Sequence, residues 1–296
     1  MKSIAYSALL LVGCAHGTTS EAKPGGSTPS DRVATASTPE AAANISPSEI
    51  EKHLRFLADD TLEGRAVATP GIERAAQYHE DYFRALGLEP VFGGSFRQGF
   101  SLRGSAPDPK ATLTFVAGKE RITPVLHDNF VLGGHREDCP GTVEGELVYV
   151  GYGIDAPGRE WNDLKGRDLT GKVLLVEVNE PGNEPGGIFD GEAMTYYGRW
   201  TYKFEQAHRL GASGVLIIHE DRGASYGWSV VRNSWSKEEF FLAGGDLRSC
   251  FQGWIDRGTA IRILKAAGHD RDDLFRQAER PSFAPIPTGI HVTAQQ

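Results

Sequence analysis

Gly223-Ala-Ser225-Tyr-Gly227 has the form G-x-S-x-G, the pattern of an activated serine nucleophile. In that chemistry a strand turns sharply into a helix, so the serine is exposed and helix N–H groups face the oxyanion. Asp256 or Asp270, followed by His291, would complete an Asp-then-His order. The surroundings argue against it. His219-Glu-Asp-Arg222 intervenes after the upstream strand, and Trp228-Ser-Val-Val231 reads as a further strand rather than a helix. The pattern is short and common, so a serine hydrolase using Ser225 is the remote reading.

Metal chemistry would need a denser ligand set. His127-Asp128, His135, Asp138 and Cys139 are the closest grouping of ligand types. Structural zinc takes four ligands at spacings such as C-x2-C or H-x3-H, and this group has neither, nor is there an HExxH. It reads as a solvated polar loop, and no cofactor is assigned to residues of this chain.

Recognition chemistry has more to work with. Tyr196, Tyr197, Arg199, Trp200 and Tyr202 precede or open a helix, and Tyr226, Trp228, Arg232 and Trp235 follow the next strand. Aromatics with polar tips beside arginines suit a peptide-contacting surface. The same residues equally suit the half-buried lids of a small domain.

The elements between these loops are legible. Trp200, Phe204 and Ala207 recur on one helical side that Leu210 extends, and Gly211 stands where a left-handed cap ends the helix. Gly214 then opens the run Val215 to Ile218, a buried strand by composition. Upstream, Ser46, Pro47 and Glu49 form a helix start with Ile50, Leu54 and Leu57 on one face. Thr69-Pro70 opens a second helix with Ile72, Ala75, Ala76, Phe83 and Leu86 inward, closed by Gly87. Strands are expected at 96–102, 111–116, within 145–155 and 169–178, and at 252–255, with helices near 259–267 and 270–278. Short glycine-punctuated strands after Pro124 suggest a small β-rich domain set into a larger α/β one.

The chain has 296 residues and a net charge of −8, which argues against a nucleic-acid partner. Residues 1–14 read as an address: Lys2, an apolar stretch from Ile4 to Val12, then Leu11-Val12-Gly13-Cys14. That tetrapeptide resembles a bacterial lipobox, which implies lipidation of Cys14 and a protein exported and membrane-anchored, facing periplasm or cell exterior. Residues 15–44 are rich in Ala, Gly, Ser, Thr and Pro without period, a flexible tether with a reach on the order of 30 Å.

Longer strings carry a family resemblance. His53-Leu-Arg-Phe-Leu-Ala-Asp-Asp-Thr-Leu-Glu-Gly-Arg65 with Thr69-Pro-Gly71 resembles the N-terminal signature of metallopeptidase family 28, the di-zinc aminopeptidases. Val150-Gly-Tyr-Gly-Ile154 with Leu169-Thr-Gly-Lys-Val173 resembles the protease-associated (PA) domain inserted in many members. Ala193 to Lys203, Ala224 to Trp228 and Asn233 to Trp235 resemble that insert in one bacterial branch. The loop Arg65-Ala-Val-Ala-Thr69 departs from the family, which carries more glycine there. The likeness implies an incomplete zinc-exopeptidase-like α/β domain over 45–123, a β-rich PA insert over 124–278, and a return strand over 279–296. It implies zinc in full-length relatives and a peptide or protein substrate for the assembly. The family's His-x-Asp, Glu-Glu and further ligands have no matching positions here, so the chain is expected to be inactive alone. A catalytically silent PA lipoprotein that binds peptides or a partner protein is the other reading.

Cys139 and Cys250 remain once Cys14 is assigned to the anchor. An exported chain meets an oxidising compartment, so they are expected either to pair or to stay free and buried.

Overall fold

In the computed structural model, residues 5–8, 45–133, 139–182, 187–191, 193–243 and 249–296 are described. Cys14, the 15–44 tether, His135 and Asp138 lie outside them. The chain divides between Leu102 and Arg103 into two compact units.

In the first unit, β1 (Ala5–Ala8) lies antiparallel to the start of β2 (Gln98–Ser105), Ala5 opposite Ser101. Helix α1 (Pro47–Leu57) begins as the sequence predicts, with Ser46 Oγ accepting from the Glu49 amide at 3.2 Å. Its apolar side is not buried: Ile50 and Leu54 are exposed. Helix α2 (Pro70–Ala85) follows a 3-10 segment, Asp60–Arg65, and buries Ala75 and Ala76. Glu80, also buried, holds both Arg84 and Arg97.

The second unit is built on one eight-stranded sheet. Its strands are β3 (Thr112–Ala117), β4 (Glu120–Ile122), β5 (Phe130–Gly133), β6 (Thr142–Tyr149), β9 (Val173–Glu177), β10 (Gly214–His219), β12 (Phe251–Asp256) and β13 (Ile286–Gln295), in the spatial order 4-3-13-6-9-10-12-5. Short strands β7 (Asp155–Ala156) and β8 (Trp161–Asn162) pair with each other, and β11 is Glu239–Leu242. Strands β6, β9, β10 and β12 run parallel, and β13 is antiparallel to both β3 and β6. Parallel strands covered on both faces read as continuous apolar runs. That is why Val173–Val176 and Val215–Ile218 carry no polar alternation.

Helices cover both faces. Helix α3 (Trp200–Arg209), α4 (Asp221–Ala224) and α5 (Trp228–Ser234) pack Phe204, Ala207, Ala224 and Val231 against Leu174, Val176, Val215 and Ile217. Helix α6 (Arg257–Ala266) and α7 (Arg271–Ala278) pack Ile263, Leu264 and Leu274 against Val173, Leu175, Leu216 and Ile218. The period-2 geometry of the strands assigns alternate residues to opposite faces. Between α3 and β10, Gly211 takes φ 64°, the left-handed cap its position predicts. Gly253 has a different reason: a Cβ there would stand 2.2 Å from the Val131 carbonyl oxygen of the edge strand.

The architecture is mixed α/β, as expected, but the sequence-based divisions at 123/124 and 278/279 fall inside this sheet. Strands β5, β6, β9, β10 and β12, all within residues 124–278, share this sheet with β3, β4 and β13, because β13 inserts between β3 and β6 and is bonded along both edges. Residues 228–231 are also corrected, from strand to helix. Val231 and Trp235, one turn apart, bury against the same sheet face, and that packing overrides the β-branched composition. Cys139 and Cys250 form a disulfide, with Cα atoms 5.4 Å apart, tying the approach to β6 to the start of β12.

Candidate functional site

The aromatic loops divide into packing clusters. Trp200 stacks edge-on to Phe204 and Trp235, with Trp235 buried. Tyr197 and Tyr202 meet edge-on, and Tyr197 also contacts Phe189. Tyr226 and Trp228 surround His219, and the Trp228 indole donates to the His127 carbonyl at 3.0 Å. Of the nine candidate residues, Tyr196, Arg199, Trp200 and Arg232 are exposed, Tyr202 and Trp235 are buried, and Tyr197, Tyr226 and Trp228 lie between. Most of this aromatic surface is therefore spent on internal packing.

The serine constellation is not assembled. Ser225 is the left-handed cap of α4, while Asp256 and Asp270 are consumed as N-caps of α6 and α7. His291 sits on β13 facing Glu144, on the amino-terminal half of β6, whereas Ser225 follows the carboxyl end of β10. The buried histidine nearest in sequence, His219, approaches Asp221 through Nδ1 at 3.3 Å, and burial holds it below its usual pKa. Its Nε2 has no partner, and no hydrogen bond links it to Ser225 among the described residues.

Metal ligands fare no better. Cys139 is in the disulfide, and His127 Nδ1 lies 3.1 Å from Ser236 Oγ. Among the described residues no three His, Cys, Asp or Glu side chains come together to hold a metal ion. The donor set present does not fit the two zinc ions that the family resemblance implies.

What the fold does build is a cleft of about 310 Å³ outside the carboxyl ends of β9 and β10. That is where open α/β sheets place ligands. Its inner end is a buried ion pair. Glu177, the last residue of β9, accepts from Arg271 Nη2 at 2.7 Å and from the Tyr149 hydroxyl at 3.0 Å. Both members of the pair are buried, at 4% and 1% side-chain exposure. Burial pushes Glu177 up to about 7, with the Arg271 charge pulling it down. Arg271 is also depressed by burial, but Glu177 and Asp272 outweigh that and raise it. Glu220, just past β10, pairs with Arg257 at 2.8 Å.

The other end is Glu279, the C-cap of α7. It accepts from the Tyr152 hydroxyl and from the Gly182 amide at 3.2 Å. Burial, then the charge of Glu279, holds Tyr152 well above its usual pKa, so it stays a donor. Tyr152 is itself fixed by Lys203, whose Nζ donates to the Tyr152 carbonyl at 2.7 Å and lies 5.7 Å from the ring centroid. Lys203 is fully buried, which lowers it to about 7, and the neighbouring Asp163 is raised to about 6 by burial. Asp163 accepts from the Ile154 amide at 2.9 Å and the Trp161 indole at 2.8 Å.

Sequence reasoning did not find this cleft. One signal was available: Glu177 ends an otherwise apolar core strand, and a charge so placed needs a partner.

No protein-family model matches the chain, and no curated protein sequence matches it. Among solved structures the chain is similar to an aminopeptidase from Aneurinibacillus sp. strain AM-1. The identity is 19% and the TM-score 0.40, over 84% of this chain and 43% of that one. The chain thus spans under half the length of that structure.

Proposed function

We propose that the Arg103–Gln296 unit is a peptide-recognition module of an exported, membrane-anchored aminopeptidase-like protein. It holds peptide and does not itself cleave it. Two lines support this reading. The strings at 53–71, 150–154 and 169–173 resemble metallopeptidase family 28 and its PA insert. The observation that carries binding in particular is the cleft beyond β9 and β10, a walled cavity with fixed charges and no assembled nucleophile among the described residues.

The test is equilibrium dialysis of the purified chain against an equimolar set of short unmodified peptides. Saturable retention of peptide in intact form is the expected result. Absence of any retained peptide overturns the reading.

A further inference from the structure

The charges of the cleft are unevenly matched. Three carboxylates, Glu177, Glu220 and Glu279, line it together with two guanidinium groups, Arg222 and Arg271. Glu177 pairs with Arg271 at 2.7 Å, Glu220 pairs with Arg257 at 2.8 Å, and Asp272 holds both arginines. That network has more carboxylates than guanidiniums, so it has no cation to spare. Glu279 stands outside it. Its oxygens accept only from neutral donors, the Tyr152 hydroxyl on Oε1 and the Gly182 amide on Oε2. No cation, Arg222 included, pairs with it among the described residues. A carboxylate offers about four acceptor sites, so each oxygen keeps one open. The residue is exposed, and as the C-cap of α7 it lies where the helix end adds partial negative charge.

Beside Glu279 the wall is aromatic. Phe275, one turn earlier on the same side of α7, lies 6.2 Å from Tyr152, ring centre to ring centre. Arg271 stands 4.7 Å from the Phe275 ring centre, and Lys203 stands 5.7 Å from that of Tyr152. Each ring thus already has one cation, so the attraction for another must come from Glu279, with the rings supplying apolar wall. The chemistry of the missing partner follows. A metal ion would take several oxygen ligands, and no such group converges among the described residues. A guanidinium docks best as a planar fork on both oxygens, where the Tyr152 and Gly182 bonds already lie. A primary ammonium is a compact charge with three donors and needs only one open site. The volume of about 310 Å³ is at the small end for ligand sites and suits a chain end or a single side chain.

We propose that Glu279 is the anchor of a primary-ammonium subsite in this cleft. The ammonium donates to the Glu279 carboxylate, and the carbon that carries it lies against the Phe275 ring. A peptide offers that group from its amino terminus or from a lysine side chain. This assignment rests on the peptide-recognition reading above and narrows it to the chemical group that the cleft reads.

The experiment is isothermal titration of the full chain with two matched pairs of ligands. Trialanine against N-acetyl-trialanine isolates a terminal ammonium. Nα-acetyl-lysine amide against Nα-acetyl-norleucine amide isolates a side-chain ammonium. In at least one pair the ammonium form is expected to bind about tenfold tighter, and the pair that shows the contrast identifies the source. In Glu279→Gln that contrast disappears, while the affinity of the uncharged member is unchanged. The wild-type comparison needs no variant, so misfolding cannot produce or hide it. Equal affinities within both pairs overturn the ammonium subsite and leave peptide recognition standing. A contrast that survives in Glu279→Gln overturns the assignment to Glu279. No binding of any of the four ligands overturns both readings together.

Discussion

Arg271 Nη2 donates to Glu177 Oε2 at 2.7 Å across 94 residues of sequence, with both side chains almost wholly removed from water. The pair joins the end of a central strand to the first turn of α7, and so sets the wall of the cleft. Removing one partner of such a pair strands a buried charge, which costs about 3–5 kcal/mol, whereas removing both can be close to neutral. Arg271→Met should therefore lower unfolding free energy by that order in urea titrations. Arg271→Met with Glu177→Leu should recover most of it. Equal losses in the single and double variants would show that the pair is not the source.

The same cluster sets a pH dependence. The folded pKa values of Glu177 and Asp163 are raised by burial, to about 7 and about 6. The folded state then binds more protons than the unfolded state between their ordinary values and these. Their contribution is present at low pH and lost as pH rises to about 7. Lys203 is lowered by burial to about 7, so between there and its ordinary value of 10.5 the unfolded chain binds more protons. Its contribution grows as pH rises through that window. Stability should pass through a shallow minimum near neutral pH. In Lys203→Met the rise on the alkaline side should vanish, as read by thermal unfolding across buffers.

How much of this was legible in the sequence depends on the range of the interactions involved. The run from Trp200 through Gly211 to Ile218 announces a helix, its cap and a core strand, because each signal lies within a few residues of the element it forms. Residues 228–231 read locally as strand because Val230 and Val231 favour strands, while Val231 and Trp235 are held helical by a sheet face built elsewhere in the chain. The place of β13 between β3 and β6 has no local signature either, so the joining of residues on both sides of the expected boundaries in one sheet is not legible in the sequence. The cleft combines Tyr152, Glu177, Glu220, Arg271 and Glu279, which only the folded sheet brings together.

The disulfide closes a loop with a sequence separation of 111. In the chain-entropy account such a crosslink stabilises by about 4–5 kcal/mol through the unfolded state. Cys139→Ser with Cys250→Ser should lower stability by up to that amount without altering peptide affinity, since neither residue lines the cleft. A fall in affinity with unchanged stability would contradict this.

Leu11-Val12-Gly13 before Cys14 motivates the proposed membrane anchor. A single acyl chain holds only marginally, whereas several hold firmly. Under the proposed anchor, Cys14→Ser should move the protein into the soluble fraction and remove the mass of the lipid. A variant that stays membrane-bound with unchanged mass would rule the anchor out.

Whether the chain holds peptide or cleaves it is decided by recovery of trialanine after saturating incubation with the purified chain and added zinc. Stoichiometric binding with the peptide recovered intact is the expected result. Conversion of trialanine to shorter products that a chelator stops would contradict it, because the chain would then be the catalyst rather than the holder.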